Sequence, residues 1–212
     1  DILLTTLNAR YMHSAFGLRY LLANLEELES KTKVIEFTIQ EQTLNIAEHL
    51  LQHQPKIIGF SVYIWNIREI SDIVTVIKQI SPDTVIVLGG PEVGHYPDVP
   101  DICELADFVI SGPGEKSFRE LCRQILDKAR PETKYIDGIA TELAELQLPY
   151  HLYNEEDIRN RLIYVEASRG CPFKCEFCLS ALDKTATAFP LESFLAEMDA
   201  LWQRGVRNFK FI

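Results

Sequence analysis

Short apolar runs at residues 2–7, 34–39, 57–62, 85–88 and 108–110 alternate with stretches of helical period at 18–28, 44–54, 67–80 and 116–129. No other feature constrains the fold as tightly. A strand reaches a parallel position beside its predecessor only through a crossover, and a helix is the usual crossover. The first 130 residues are therefore expected to form an α/β domain, a flavodoxin- or Rossmann-like doubly wound parallel sheet. Five strands in the order 2-1-3-4-5 are expected. Such sheets take ligands beyond the C-terminal ends of their strands, where the strand order reverses. In this order the reversal falls between the first and third strands.

The loops leaving that edge are rich in glycine and aromatic residues. Residues 8–17 follow the first strand and include Asn8 and His13. Ser61, Val62, Tyr63, Ile64, Trp65 and Asn66 stand at the end of the third and just after it. Gly89, Gly90 and Pro91 follow the fourth, and Gly112, Pro113, Gly114 and Glu115 follow the fifth. Glycine lets backbone come close to a bulky ligand, and aromatics at one sheet edge offer a flat apolar surface. Any one of these glycines could equally make a tight turn before a helix. All four loops at one edge describe a site for something large and partly polar. A G-x-x-x-x-G-K-[ST] phosphate loop does not occur, and the G-x-G-x-x-G dinucleotide fingerprint is missing after the first strand.

Cys171, Cys175 and Cys178 form a C-x3-C-x2-C spacing on one short segment. Three thiolates can hold three irons of a 4Fe–4S cluster and leave the fourth iron open for chemistry. A structural zinc wants a fourth ligand, which Cys122 or His151 would have to bring from elsewhere in the sequence. Haem attachment needs C-x-x-C-H, and Leu179 follows Cys178. A strand-like run at 163–167 precedes the cysteines; a helical period at 191–204 and a strand-like run at 208–212 follow them. Strand, cysteine loop, helix and strand match the opening of a (β/α) barrel, with the chemistry at a strand's C-terminal end. Residues 131–160 lack a sustained period and contain Pro131, Gly138, Pro149 and the acidic group Glu155, Glu156 and Asp157. They read as a linker between domains 1–130 and 161–212, with 136–140 a candidate edge strand.

On these residues the chain resembles the radical S-adenosylmethionine enzymes. Their signature is C-x3-C-x2-C with an aromatic residue before the last cysteine, and Phe177 fills that place. The resemblance implies that Cys171, Cys175 and Cys178 bind a 4Fe–4S cluster, that S-adenosylmethionine takes the open iron, and that Phe177 lies near it. Residues 2–130 resemble the cobalamin-binding domain that precedes the barrel in many such enzymes. Ser61, Val62 and Tyr63 match the serine loop beside the nucleotide tail, Gly89, Gly90 and Pro91 the double glycine, and Gly112, Gly114 and Glu115 the G-x-G-E turn. Asn8 and His13 fall in the loop that the same resemblance places at the cofactor. One departure is plain. The D-x-H-x-x-G cobalt-ligand motif is absent: Tyr11 stands where the aspartate would, and His13 is spaced H-x-x-x-G to Gly17. His13 is therefore either a cobalt ligand or a pocket histidine. His95 is a further pocket candidate, whereas His49 and His53, at i and i+4, read as a solvated helix face.

The function so implied is a cobalamin-dependent radical S-adenosylmethionine enzyme that transfers methyl to an unactivated carbon. Two alternatives stand beside it: a radical enzyme whose first domain binds no cobalamin, and a cobalamin carrier or sensor with a redox cluster. A small-molecule substrate and an electron donor such as flavodoxin or ferredoxin are the expected partners. The net charge of −10 argues against nucleic acid. No apolar run reaches the length of a membrane span, and the chain opens on a strand-like run, so neither a membrane partner nor a signal peptide is expected. Five cysteines, three of them in a cluster motif, suit a reducing cytoplasm. Cys103 and Cys122, alone in apolar surroundings, read as packing residues. The 52 residues from Arg161 onward fall far short of the roughly 200 that a barrel needs. The expectation is an inactive fragment whose last strand leaves an edge open to self-association.

Overall fold

All seven residues of the first strand, β1 (Ile2–Asn8), are buried, which requires cover on both faces of the sheet. The structure, a computed structural model, describes residues 1–94, 98–129, 131–173, 175, 176, 178 and 185–212. The chain falls into two units, Asp1–Ala140 and Thr141–Ile212.

In the first unit β1 is followed by α1 (Phe16–Ala23), β2 (Thr32–Thr38), α2 (Thr43–Gln52), β3 (Ile57–Ser61), α3 (Ile67–Ile80) and β4 (Val85–Gly89). Then come α4 (Ile102–Leu105), β5 (Phe108–Ser111), α5 (Glu115–Leu126) and β6 (Tyr135–Asp137). The sheet order is β2-β1-β3-β4-β5-β6, every pair parallel. The expected order holds, and β6 extends it to six strands. This three-residue strand overlaps the candidate edge strand at 136–140 and begins one residue before it. Its place is set by backbone bonds at both ends, Val109 N–H to Lys134 O and Gly138 N–H to Ser111 O.

Alternation along β1 divides the core. Leu3 and Leu7 face α2, α3 and α4, where they meet Ile46, Leu50, Ile70, Ile73, Ile77 and Ile102. Ile2 and Leu4 face α1 and α5, where they meet Leu18, Phe118 and Leu121. Each such side chain contributes about 2 kcal/mol when fully buried. Gly59 in β3 leaves room for the Phe118 ring: a Cβ there would lie 3.0 Å from Phe118 Cε2 and from Leu4 Cδ2.

Three helices of this unit end earlier than the period predicts, α2 by two residues at Gln52. The pattern at 18–28 runs past Ala23, but Asn24 turns its side-chain amide onto Tyr20 O and Glu26 takes a positive φ of 52°. A 3-10 turn, Glu26–Lys31, follows. The last helix of the unit stops at Leu126, and Lys128 has a φ of 62°.

The second unit holds α6 (Glu155–Asn160), β7 (Ile163–Val165), β8 (Ser168–Gly170), β9 (Ala186–Ala188), α7 (Leu191–Gln203) and β10 (Phe209–Phe211). Strands β7 and β10 pair in parallel around α7, the βαβ unit that the sequence predicts. Phe194 and Leu201 are the buried side chains of α7. The segment 131–160, read as a linker, is shared between the units, with 131–140 in the first and 141–160 in the second. Its acidic group opens α6: Asn154 and Asp157 form a reciprocal capping box. Tyr150 and Tyr153, both fully buried, lie along the edge of β7 away from β10. The Tyr150 hydroxyl accepts from Glu166 N–H at 3.1 Å and donates to Glu166 O at 3.3 Å. Tyr153 does the same with Tyr164, at 3.1 and 3.0 Å. Among the described residues no helix is long and apolar enough to cross a membrane.

Candidate functional site

The strand order reverses at β1, so the loops after β1 and β3 part over the sheet's C-terminal edge. Three polar side chains hold this parting in place. The Thr6 hydroxyl donates to Ser61 O at 2.7 Å. The wholly buried Asn66 amide donates to Leu7 O at 3.0 Å, to Thr6 Oγ1 at 3.1 Å and to Ser61 O at 3.3 Å, and accepts from Tyr63 N–H at 2.8 Å. On the outer side, Glu36 of β2 binds Asn8 and the Ala15 amide.

Large apolar side chains are exposed on both loops: Tyr11 and Met12 after β1, Ile64 and Trp65 after β3. Tyr63 stacks on Trp65 with ring centroids 4.4 Å apart and planes 8° from parallel. The result is a rigid flat aromatic step beside the crevice. Exposed apolar side chains grouped in this way are a mark of an interaction site, as singly scattered ones are not.

The glycines on this edge divide into two kinds. Gly90 (φ 107°) is required by packing, since its missing Cβ would sit 2.5 Å from Val62 O and 2.9 Å from Val62 N. Gly114 is close to Leu21, at 3.1 Å. Gly89, by contrast, has only Ile110 O at 3.8 Å, and Gly112 (φ 76°) has nothing within 4 Å. Both have open space beside them, although at Gly112 the positive φ already favours glycine by itself. Gly138 crosses over the β5 loop, 2.3 Å from Pro113 O by the same measure, and so fixes the far wall.

The remaining residues singled out by sequence lie as follows. Asn8 is buried and gives its amide to Glu36 Oε2 at 2.7 Å. His13 is half-buried, with its backbone N–H on Arg10 O. Ser61 and Tyr63 are half-buried, while the Val62 side chain is in the core and only its backbone faces the loops. Pro91 is exposed, and Glu115 is buried in the first turn of α5. His95 lies outside the described residues. Sequence reading missed Glu36, Thr6 and Gly138 and gave Asn66 no task. Each acts through a partner distant in sequence, and no local pattern carries that information.

In the second unit the antiparallel pair β8–β9 brackets residues 171–185. Arg169 of this hairpin binds Glu166 at 3.1 Å, and its guanidinium lies over the Phe189 ring at 5.8 Å. Cys171 follows β8 directly and is half-buried; Cys175 and Cys178 are exposed and joined by a turn bond, Cys178 N–H to Cys175 O. Phe177 lies outside the described residues. Among the described residues no three His, Cys, Asp or Glu side chains converge as a metal-ligand group. The donor set suits iron all the same: three free thiols within one short segment, two of them open to solvent. Cys103 and Cys122 differ, because burial raises both thiols above the ordinary range.

A family model described as B12 binding domain matches residues 2–122. An uncharacterised methyltransferase of Pyrococcus horikoshii is 26% identical over 222 residues, covering 92% of this chain and 48% of the relative. The cobalamin-dependent radical SAM methyltransferase TokK of Streptomyces tokunonensis is 27% identical over 154 residues, covering 59% and 22%. The 2-(S-pantetheinyl)-carbapenam-3-carboxylate methyltransferase of Streptantibioticus cattleyicolor is 27% identical over 168 residues, covering 66% and 23%. The chain thus spans about half the length of the first relative and under a quarter of the other two. Among solved structures, a cobalamin-binding protein from Desulfitobacterium hafniense has a TM-score of 0.40 and 17% identity, covering 58% of this chain and 57% of that one. The sheet order read directly from the strands is the firmer statement of the fold.

Proposed function

The chain belongs to the B12 binding domain family, and from that premise we propose that it is the cofactor-binding part and first βαβ unit of a cobalamin-dependent radical S-adenosylmethionine methyltransferase. One observation carries the reading. Open glycine positions, Gly89 and Gly112, share an edge with the flat Tyr63–Trp65 step. A long polar tail and a broad planar ring need such a pair of surfaces. Gly89, Gly90, Pro91, Gly112, Gly114 and Glu115 would line the tail, and Ser61, Val62 and Tyr63 would border it through backbone and ring. Asn8 ends β1 and His13 stands in the loop that follows, on the other side of the crevice.

Cys171, Cys175 and Cys178 would hold a 4Fe–4S cluster, with Phe177 near S-adenosylmethionine. The pair β8–β9 closes the base of their segment, and the three cysteines share one short stretch of chain above it. When bound, these groups supply one-electron chemistry at an unactivated carbon and a methyl group to place on it. The chain's own part is to orient and to exclude water. The aromatic step covers apolar surface, the glycines admit backbone contact, and the exposed thiols accept iron. A small-molecule substrate and a flavodoxin- or ferredoxin-type electron donor complete the reading, and the net charge of −10 disfavours nucleic acid as a partner.

The test is anaerobic titration of the chain with cob(II)alamin, followed by iron and sulfide reconstitution. Saturable binding that quenches Trp65 emission, and a 4Fe–4S signal lost in Cys175→Ala, are expected. Absence of cobalamin binding would assign the first unit another task. A full cluster complement in Cys175→Ala would defeat the cysteine assignment.

A further inference from the structure

Loop 9–14 leaves β1 and enters α1 with both of its feet on one carboxylate oxygen. Oε2 of Glu36 accepts from Asn8 Nδ2 at 2.7 Å and from the Ala15 amide at 2.6 Å. The other oxygen, Oε1, accepts from Arg19 at 2.7 Å, and Arg19 also donates to Ala15 O at 3.2 Å. Side-chain exposure is 7% for Arg19 and 6% for Glu36. These three partners are all donors. Only an acceptor without N–H suits the place, since glutamine would turn its own N–H groups toward one of them.

A buried ion pair contributes little net stability, because desolvation offsets most of the attraction. Its position gives a better account of it. The loop it closes carries Tyr11, Met12 and His13 to the crevice. The start of α1, where dinucleotide-binding folds receive a phosphate, is taken by the chain's own carboxylate. An anionic ligand group is thereby left to the loops after β3, β4 and β5.

We propose that Glu36 is a positioning residue for the cofactor: with Arg19 as counter-charge, it holds loop 9–14 in the shape that receives cobalamin. This rests on the cobalamin reading of the edge. The loop is shaped before the ligand arrives, so binding pays no ordering cost there.

The test compares Glu36→Gln with Lys78→Met in the same chain. Lys78 pairs with Asp107 at 2.5 Å at the opposite, N-terminal end of β4 and β5 and serves as the control ion pair. Cob(II)alamin titration, electron paramagnetic resonance of the bound form and urea unfolding without cofactor are measured for each. Glu36→Gln is expected to raise Kd about tenfold, the fold-change of one lost charge-assisted hydrogen bond, and to alter the resonance spectrum. Lys78→Met is expected to lower the urea midpoint and leave Kd and spectrum as they were. Glu36→Asp, which keeps the charge but is one methylene shorter, is the second variant should the first not fold. Unaltered Kd and spectrum in either folded Glu36 variant overturns the proposal and leaves the cobalamin reading standing. Failure of both variants to fold makes Glu36 a structural residue and overturns it too. No binding by the unsubstituted chain overturns the cobalamin reading, and the proposal with it.

Discussion

Gly90 and Val62 meet backbone to backbone: a Cβ on Gly90 would lie 2.5 Å from the Val62 carbonyl oxygen. Val62 N–H donates to Gly89 O at 2.8 Å, so the loops after β3 and β4 are joined just where the crevice opens. The adjacent glycines therefore have opposite tasks. Gly90 serves the fold, and Gly89 leaves the space.

Alanine at these two positions separates the tasks. Gly90→Ala combines a positive φ with a backbone clash and should destabilise the first unit by about 2 kcal/mol or more. Gly89→Ala has room and should unfold at the wild-type urea concentration, yet bind cobalamin more weakly. Urea midpoints and a cob(II)alamin titration of both variants check this. Equal stabilities would refute the division.

Asn66 ties β1, β3 and the third-strand loop through four hydrogen bonds made by one buried amide. Asn66→Ala leaves several buried groups without that partner and should cost about 3 kcal/mol. Asn66→Asp should be at least as damaging, because its carboxylate would face three oxygens in place of the amide N–H groups. Denaturant unfolding followed by tryptophan emission gives both numbers.

Four of the five cysteines should react in two classes, with the half-buried Cys171 between them. Cys175 and Cys178 are exposed and should be labelled at once by a thiol reagent in the native, iron-free chain. Cys103 and Cys122 are buried, and burial holds their thiols protonated, so they should react only on unfolding. Mass spectrometry of a timed labelling reaction reads each site separately.

Glu27 is held down to a pKa of about 2, first by its side-chain hydrogen bond to Arg123. The folded value lies below the unfolded 4.5. The pair therefore stabilises fully above the unfolded value, and that contribution is lost as pH falls toward 2. It is a surface pair, so the effect on stability should be small and screened by salt. Carboxyl chemical shifts followed against pH should place Glu27 near 2 and return it to the ordinary range in Arg123→Gln.

Much of this molecule was legible in sequence where a repeating pattern was long. The strands at 2–7, 34–39 and 57–62 and the helix at 67–80 have enough residues for period to speak, and the expected order was that of the flavodoxin-like fold which five alternating strands suggest. Short elements declared themselves poorly. β6 was legible only as a candidate edge strand at 136–140 and the four-residue α4 not at all, and what fixes them is pairing and packing with distant segments. The four glycine- or aromatic-bearing loops were correctly placed at one edge, because every parallel strand delivers its loop there. Which way each residue turns was not legible. Asn8 faces Glu36, Val62 faces the core and Gly90 faces Val62, and each choice is made by a partner outside its own loop. The cysteine spacing was visible at once, whereas the β8–β9 hairpin around it, built of three-residue strands, was not.

Tyr150 and Tyr153 precede β7 in the chain, and that order has a consequence for synthesis. As the polypeptide emerges, the two side chains that will seal one margin of β7 exist before the strand itself. In the folded unit that margin is taken at Tyr164 and Glu166 by the two hydroxyls, and β7 pairs with β10 on its other side. The cover for one margin of β7 thus leaves the ribosome before the strand it covers, and the partner of the other margin, β10, leaves it after.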